Sequence, residues 1–226
     1  MDYEVVNKEL SDAYFDDVKN SSIEKAYQLD SSLSGIFLPK ATQSYCNSDR
    51  KIMIIGKETR SWNNSNCGVK NCRSVFNKDA IINSMDVHER HLLKPSGKSK
   101  FLQFYKEASK VNSLQKNSII WSNLFCASSK RRTPTRSKHF DKVKELSKSI
   151  LHSQIKILKP DVLFFVTGWT YDKHIKDFFP EYSESNVIEK KALWSFKINA
   201  LDCIRTSHPQ WSTGIPWRKK GIDLVF

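Results

Sequence analysis

Two spacings of apolar residues alternate along this chain. Short unbroken runs are separated by longer segments in which apolar positions recur every three or four residues. Residues 51–56 read Lys-Ile-Met-Ile-Ile-Gly. A continuous apolar run closed by glycine is the pattern of a strand buried on both faces. Residues 118–125 (Ser-Ile-Ile-Trp-Ser-Asn-Leu-Phe) and 161–168 (Asp-Val-Leu-Phe-Phe-Val-Thr-Gly) repeat that form. Residues 202–207 predict a short last strand ahead of His208-Pro209, and 187–199 alternate enough to predict a hairpin or edge strand. The clearest helical pattern places Val143, Leu146, Ser147, Ile150, Leu151, Ile155 and Leu158 on one face. Lys142, Lys144, Glu145, Lys148 and Lys156 cover the rest, and Pro160 ends the segment. Residues 101–111 predict a further helix. Residues 1–48 predict a mainly helical, polar arm in which Leu10, Ala13, Tyr14 and Val18 share one spacing. Residues 57–100 read as a long, irregular, polar stretch, and such stretches inside compact domains are usually functional.

Buried strands alternating with helical segments imply an α/β fold. The expectation is a three-layer α/β/α arrangement around a short central parallel sheet of about four strands. Residues 1–226 would make one domain, with 1–48 packed on it. Sheets of this kind bind ligands beyond the carboxyl ends of their strands. The residues that follow those ends are Lys57-Glu58, Asn123, Gly168-Trp169 and His208.

Composition narrows the function classes. An apolar fraction of 39% and an aromatic fraction of 12% exclude a disordered chain. A formal charge of +13 predicts a polyanionic partner, since Lys and Arg gain free energy by releasing counterions from phosphates. The cluster Lys130, Arg131, Arg132, Arg136 and Lys138 is the natural place for phosphate contacts; its structural alternative is a solvated basic loop. Five cysteines, an odd number in a chain this long, argue against a disulfide framework. Cys67 and Cys72 lack a second pair to complete a metal site, and Cys126 and Cys203 sit in apolar runs as small core residues. His88 and His91 would share a helical face, but without a third ligand they are expected at the surface. No metal and no cofactor are expected. The start of the chain lacks a signal-peptide pattern, and no apolar run approaches the roughly 18 residues of a membrane span. The expectation is a cytoplasmic monomer that binds DNA and no membrane.

Four short motifs carry a resemblance. The segment Ile54-Ile55-Gly56-Lys57-Glu58-Thr59 resembles the water-activating motif of the uracil-DNA glycosylase superfamily. Ile120-Trp121-Ser122-Asn123 resembles the strand whose terminal Asn reads the flipped base. Residues 159–168 resemble that family's third strand. Thr206-Ser207-His208-Pro209 resembles its last motif, which precedes a loop that wedges into the duplex. Order and rough spacing agree across residues 51–212, while residues 1–48 match nothing in the family. The chain departs from the pattern at Lys57, where Gln is usual, and at Thr59, where Pro is usual. Arg60 stands where uracil-specific members place a Tyr that blocks thymine, and Gln210-Trp211-Ser212 replaces Ser-Pro-Leu. These departures widen the expected substrate from uracil to a bulkier modified pyrimidine. The superfamily includes antiviral members that excise modified bases from phage DNA, so either a repair or a defence role fits the resemblance.

The resemblance implies roles residue by residue. Glycosidic cleavage makes the sugar cationic and the departing base anionic, so Glu58 would stabilise the first charge and orient water. His208 would donate to the departing base through one N–H. Asn123 offers a donor and an acceptor to a base edge, with Gly56 and Lys57 beside it. Trp62 and Phe76 are candidates for the aromatic face that holds a flipped base, and each has core packing as its structural alternative. Trp211 would fill the gap left in the duplex. Gly168, Trp169, Ser207 and Gln210 would join the basic cluster in contacting DNA. Two other readings stay open: a catalytically silent DNA-binding module, and a hydrolase of free nucleosides or nucleotides.

Overall fold

The computed structural model describes residues 1–62, 76–93, 99–111, 118–130 and 132–226. Arg131, Cys67 and Cys72 lie outside the described residues. The chain divides into two compact units. The first comprises Met1–Ala41, Glu58–Lys94 and Asn123–Lys159; the second comprises Thr42–Lys57, Pro95–Ser122 and Pro160–Phe226.

The fold is α/β: helices flank a central sheet, and the sheet is mixed and larger than the pattern predicted. Its strands are β1 (Ile52–Glu58), β2 (Ile119–Phe125), β3 (Val162–Phe165), β4 (Tyr182–Glu189), β5 (Leu193–Ile198) and β6 (Leu201–Thr206), in the order β2-β1-β3-β6-β5-β4. β1 pairs parallel with β3, and β3 pairs parallel with β6. β5 and β4 add an antiparallel extension beyond β6, where about four parallel strands were expected. The hairpin or edge strand expected over 187–199 is the β4–β5 hairpin, which begins earlier, at Tyr182, because β4 exposes most of its side chains and so lacks an apolar pattern. An exposed strand has no need of an apolar face. β4 also carries two register irregularities and a left-handed Glu184 (φ 46°).

The first unit is largely helical. α1 (Tyr3–Asn20) starts at Asp2, whose carboxylate accepts from the Glu4 and Val5 amides. Its buried Leu10, Tyr14 and Val18 follow the predicted spacing, and the Tyr14 hydroxyl donates to the Pro39 carbonyl at 3.0 Å. α2 (Ile23–Leu29) follows. α4 (Lys78–Leu93) occupies a stretch expected to be irregular. Its inward positions are Ala80, Ile81, Ser84, Met85, His88 and Leu92, so small and polar residues dilute the apolar period. His88, expected at the surface, is fully buried because it has a partner: its Nδ1 accepts from the Lys40 amide at 3.0 Å, and its ring meets Phe37 edge-on. α6 (Phe140–Leu158) buries Val143, Leu146, Ile150, Leu151 and Leu158 as predicted, and ends on a left-handed Lys159 ahead of Pro160. α1 packs against both α4 and α6.

The second unit holds α3 (Gln43–Cys46), α5 (Lys100–Ala108), α7 (Asp172–Phe178) and α8 (Ile215–Val225). Phe104 of α5 packs on Phe164 of β3, and the Tyr105 hydroxyl donates to the Ile119 carbonyl at 2.7 Å. α8, unanticipated from the sequence, brings Gly221 against Phe164 and Leu193, where a Cβ would stand 3.1 Å from the Phe164 ring. Cys203 is core, as expected, and in the first unit so is Cys126.

Arg205 on β6 is 2% exposed and binds Asp172 with two nitrogens, Nε and Nη2, each at 2.8 Å. Its Nη1 reaches the Lys191 carbonyl at 3.2 Å. Burial pushes the Asp172 carboxyl up despite the attraction of Arg205, and burial likewise draws the Arg205 pKa down. Such a pair gives little net stability, yet separating it strands a charge in the interior. Asp172→Ala is therefore expected to destabilise by about 3 kcal/mol, while the double change Asp172→Leu/Arg205→Met recovers most of the loss. Denaturant midpoints of the two variants check this; equal losses would refute it.

Candidate functional site

The register Ile55↔Phe165↔Arg205 sends the carboxyl ends of β1, β3 and β6 to one edge of the sheet. In the second unit that edge carries Lys57, Gly168, Trp169 and His208. Gly56 is buried within β1, and the half-buried Lys57 holds its ammonium 4.8 Å from the centre of the Tyr171 ring. Gly168 has φ 73° and ψ 161°, a conformation nearly restricted to glycine. Its amide donates to the Thr206 carbonyl at 3.0 Å, and a Cβ there would stand 3.3 Å from the His208 nitrogen. The turn after β3 can thus lie against the backbone that presents His208. Gly168 itself is buried, and Trp169 is its exposed neighbour (42%) with the Lys191 ammonium 4.7 Å from its ring centre.

His208 is half-buried, and its Nδ1 accepts from the Gln210 amide at 3.2 Å. In a neutral ring this places the proton on Nε2, which becomes the donor nitrogen. Trp211 is 44% exposed and Gln210 is exposed. Ser207 was expected at the DNA surface but is fully buried; its hydroxyl donates to the Gly214 carbonyl at 3.0 Å. Arg218 of α8 also reaches this loop. Sequence reasoning missed Arg218 because one arginine in so basic a chain carries no signal and its helix was not foreseen.

In the first unit, half-buried Glu58 closes β1. The Asn123 side-chain amide donates to the Thr59 hydroxyl at 2.5 Å, so these two residues meet. Arg60 is exposed, and left-handed Ser61 (φ 57°) donates its amide to the Ser128 hydroxyl at 3.3 Å. Trp62 is buried, edge-on to Phe37 at 4.8 Å and 5.0 Å from the His91 ring. Phe76 is half-buried and meets Tyr27 edge-on at 5.5 Å. Both rings take part in packing of the first unit.

The basic segment of the first unit is fastened down. Lys130, Arg132 and Arg136 are exposed, while the backbone beneath them is bonded to residues 30–34. The Lys130 amide donates to the Ser32 carbonyl at 2.9 Å, the Ser34 amide to the Ser128 carbonyl at 2.8 Å, and the Ser137 hydroxyl to Asp30 at 2.7 Å. Leu33 and Ser129 form a β-bridge. Cations on a fixed backbone lose less freedom on meeting phosphates than cations on a free loop. Among the described residues, no group of three or more His, Cys, Asp or Glu side chains could hold a metal ion, and no described helix is long and apolar enough to cross a membrane.

Asp30 supplies a pH dependence. Burial raises its carboxyl, but bonds from Ser32 and Ser137 and the nearby His139 outweigh burial and hold it below the usual range. A depressed carboxyl stabilises the fold above its unfolded value of about 3.9, and that contribution is lost as pH falls through the lower folded value. Asp30→Asn is expected to lower stability at neutral pH and to flatten the acid limb of the stability profile. Denaturant titrations from pH 7 to pH 2.5 check this, and an unchanged acid limb would refute it. No protein-family model matches this chain, and no match is found among curated protein sequences.

Proposed function

We propose that this protein is a monofunctional DNA glycosylase that hydrolyses the N-glycosidic bond of a flipped pyrimidine, uracil or a bulkier modified base, and leaves an abasic site. The observation that carries the reading is the order of the four motifs, which fall in turn on β1, β2, β3 and the end of β6, with β1, β3 and β6 ending on one sheet edge. In the reaction, the oxygen of water bonds to the anomeric carbon as the carbon–nitrogen bond breaks. The bonding pair leaves with the base, and the base finally takes a proton. Glu58 orients the water and faces the positive charge that develops on the sugar. His208, holding its proton on Nε2, donates to the departing base. Asn123 reads the base edge, and Thr59 sets the direction of its amide. Trp211 fills the vacated position in the duplex. Lys130, Arg132 and Arg136 contact phosphates, as does the basic surface generally. The presence of Thr59 and Arg60, rather than Pro and Tyr, favours a bulkier base over uracil.

The test is incubation with duplexes carrying different modified pyrimidines, followed by alkaline cleavage at abasic sites. Glu58→Gln and His208→Ala are each expected to lower single-turnover excision on the order of 100-fold. Affinity in a gel shift on the same oligonucleotide should change by less than about 1 kcal/mol, since both charges develop in the transition state. Wild-type excision by both variants would remove these residues from the mechanism. Tight binding with no base released from any duplex would make the protein a DNA-binding module instead.

Affinity for DNA is also expected to fall steeply with salt. Replacing Arg132 and Arg136 with Ala should flatten the slope of log K against log salt by about one unit per lost phosphate contact. Salt-independent binding would refute the electrostatic part of the reading.

A further inference from the structure

Arg218 lies on α8, outside every motif at the strand ends, yet one of its nitrogens reaches three points of the loop between β6 and α8. Nη1 donates to the Trp211 carbonyl at 2.8 Å and lies 3.3 Å from both the His208 carbonyl and the Ser207 hydroxyl oxygen. The Ser207 hydroxyl spans the same loop to the Gly214 carbonyl. Within the loop, the Trp211 amide donates to the His208 carbonyl at 2.9 Å and the Gly214 amide to the Trp211 carbonyl at 3.1 Å. A Cβ on Gly214 would stand 2.0 Å from the Ser207 oxygen, so this closure admits only glycine there. The Arg218 side chain is buried. A cation removed from water needs oxygen partners, and backbone carbonyls supply them here. The loop that carries the exposed Trp211 is therefore closed from beneath by a buried charge.

Resting on the glycosylase reading, we infer that Arg218 is a positioning residue that holds loop 207–214 in one conformation, so that His208 and Trp211 meet DNA already ordered. A free loop would have to be ordered at the moment of binding, at a cost to affinity. It would also present His208 in many orientations, and misplacement of a reacting group is costly in rate. Arg218 thus acts on two steps through one loop. Trp211 serves entry into the duplex and His208 serves bond cleavage.

Two measurements on the full chain test this with Arg218→Ala, Arg218→Lys and Gly214→Ala. The first is amide hydrogen exchange on the free protein. In Arg218→Ala and Gly214→Ala, exchange within 207–214 should rise about ten- to hundredfold, as for one lost bond to a charged group, while β3 and β6 keep their protection. The second pairs gel-shift affinity with single-turnover excision on one duplex. Arg218→Ala should slow excision on the order of 100-fold and also weaken binding, unlike His208→Ala. Arg218→Lys should restore part of both, because an ammonium can also donate to the loop carbonyls. In Arg218→Ala/Trp211→Ala, affinity should be no weaker than in Trp211→Ala alone, since the two act through the same loop. Unchanged exchange in 207–214, wild-type excision by Arg218→Ala, or additive losses in the double variant would overturn the inference. If the wild-type protein releases no base from any duplex, the glycosylase reading falls, and the exchange measurement alone decides the role of Arg218 in the loop. Should Arg218→Ala fail to fold, Gly214→Ala carries the exchange, affinity and excision readings in its place.

Discussion

The in-register pairing of β1, β3 and β6 is the constraint on which the candidate site depends. Parallel strands align their ends, so Ile55, Phe165 and Arg205 share one level of the ladder and the residues after them leave from one edge. A shift of one residue would turn every side chain on a strand to the opposite face. In β1 and β3 continuous apolar runs make such a shift cheap, since both faces are buried. The register is held instead by features at the ends. At the amino end, the Lys51 amide donates to the Asp161 carboxylate and the Asp161 amide to the Lys51 carbonyl. At the carboxyl end, the Gly168 amide bonds to Thr206 and Arg205 grips Asp172.

The parts legible in the sequence are those in which one physical demand dominates. Strands buried on both faces must be apolar throughout, and β1, β2 and β3 are plain in the pattern. α6 has one wet and one dry face, and its period is plain as well. Legibility fails where several demands share a segment. α4 buries Ser84 and also His88, which accepts from the Lys40 amide, and the apolar stripe fades. β4 faces water on most of its length, so its residues obey no alternation. At the candidate site, Glu58, Asn123 and His208 stand out as polar residues beside apolar runs: Glu58 closes β1, Asn123 lies within β2 two residues before its end, and His208 follows β6. Trp62 stands out for its size, yet size marks core packing as readily as ligand stacking, and here the ring lies between Phe37 and His91. Ser207 and Arg218 show the converse. Their importance lies in bonds to backbone atoms, which leave no trace in residue order.

Charge plays two separate parts in this molecule. The exposed lysines and arginines of residues 128–138 work in water, where their value depends on ionic strength and on a partner. Arg205 and Arg218 are buried, and each is satisfied by fixed oxygens within the second unit. For the first group the side chains are interchangeable to a fair degree. In the second, Arg205 uses its planar fork, with three nitrogens engaged, whereas Arg218 acts through the reach of one nitrogen.

The irregular β4 has a consequence for how the protein behaves among its own kind. An outermost strand offers unpaired amides and carbonyls to any extended chain that approaches, which makes a sheet rim a seed for fibrils. β4 breaks that template with two register irregularities, a left-handed Glu184, and a Lys197–Glu184 ion pair that places charge along its length. A rim that is kinked and hydrated resists zipping to a neighbour. At this rim, the geometry of one strand does the work that a covering helix or a closed barrel does elsewhere.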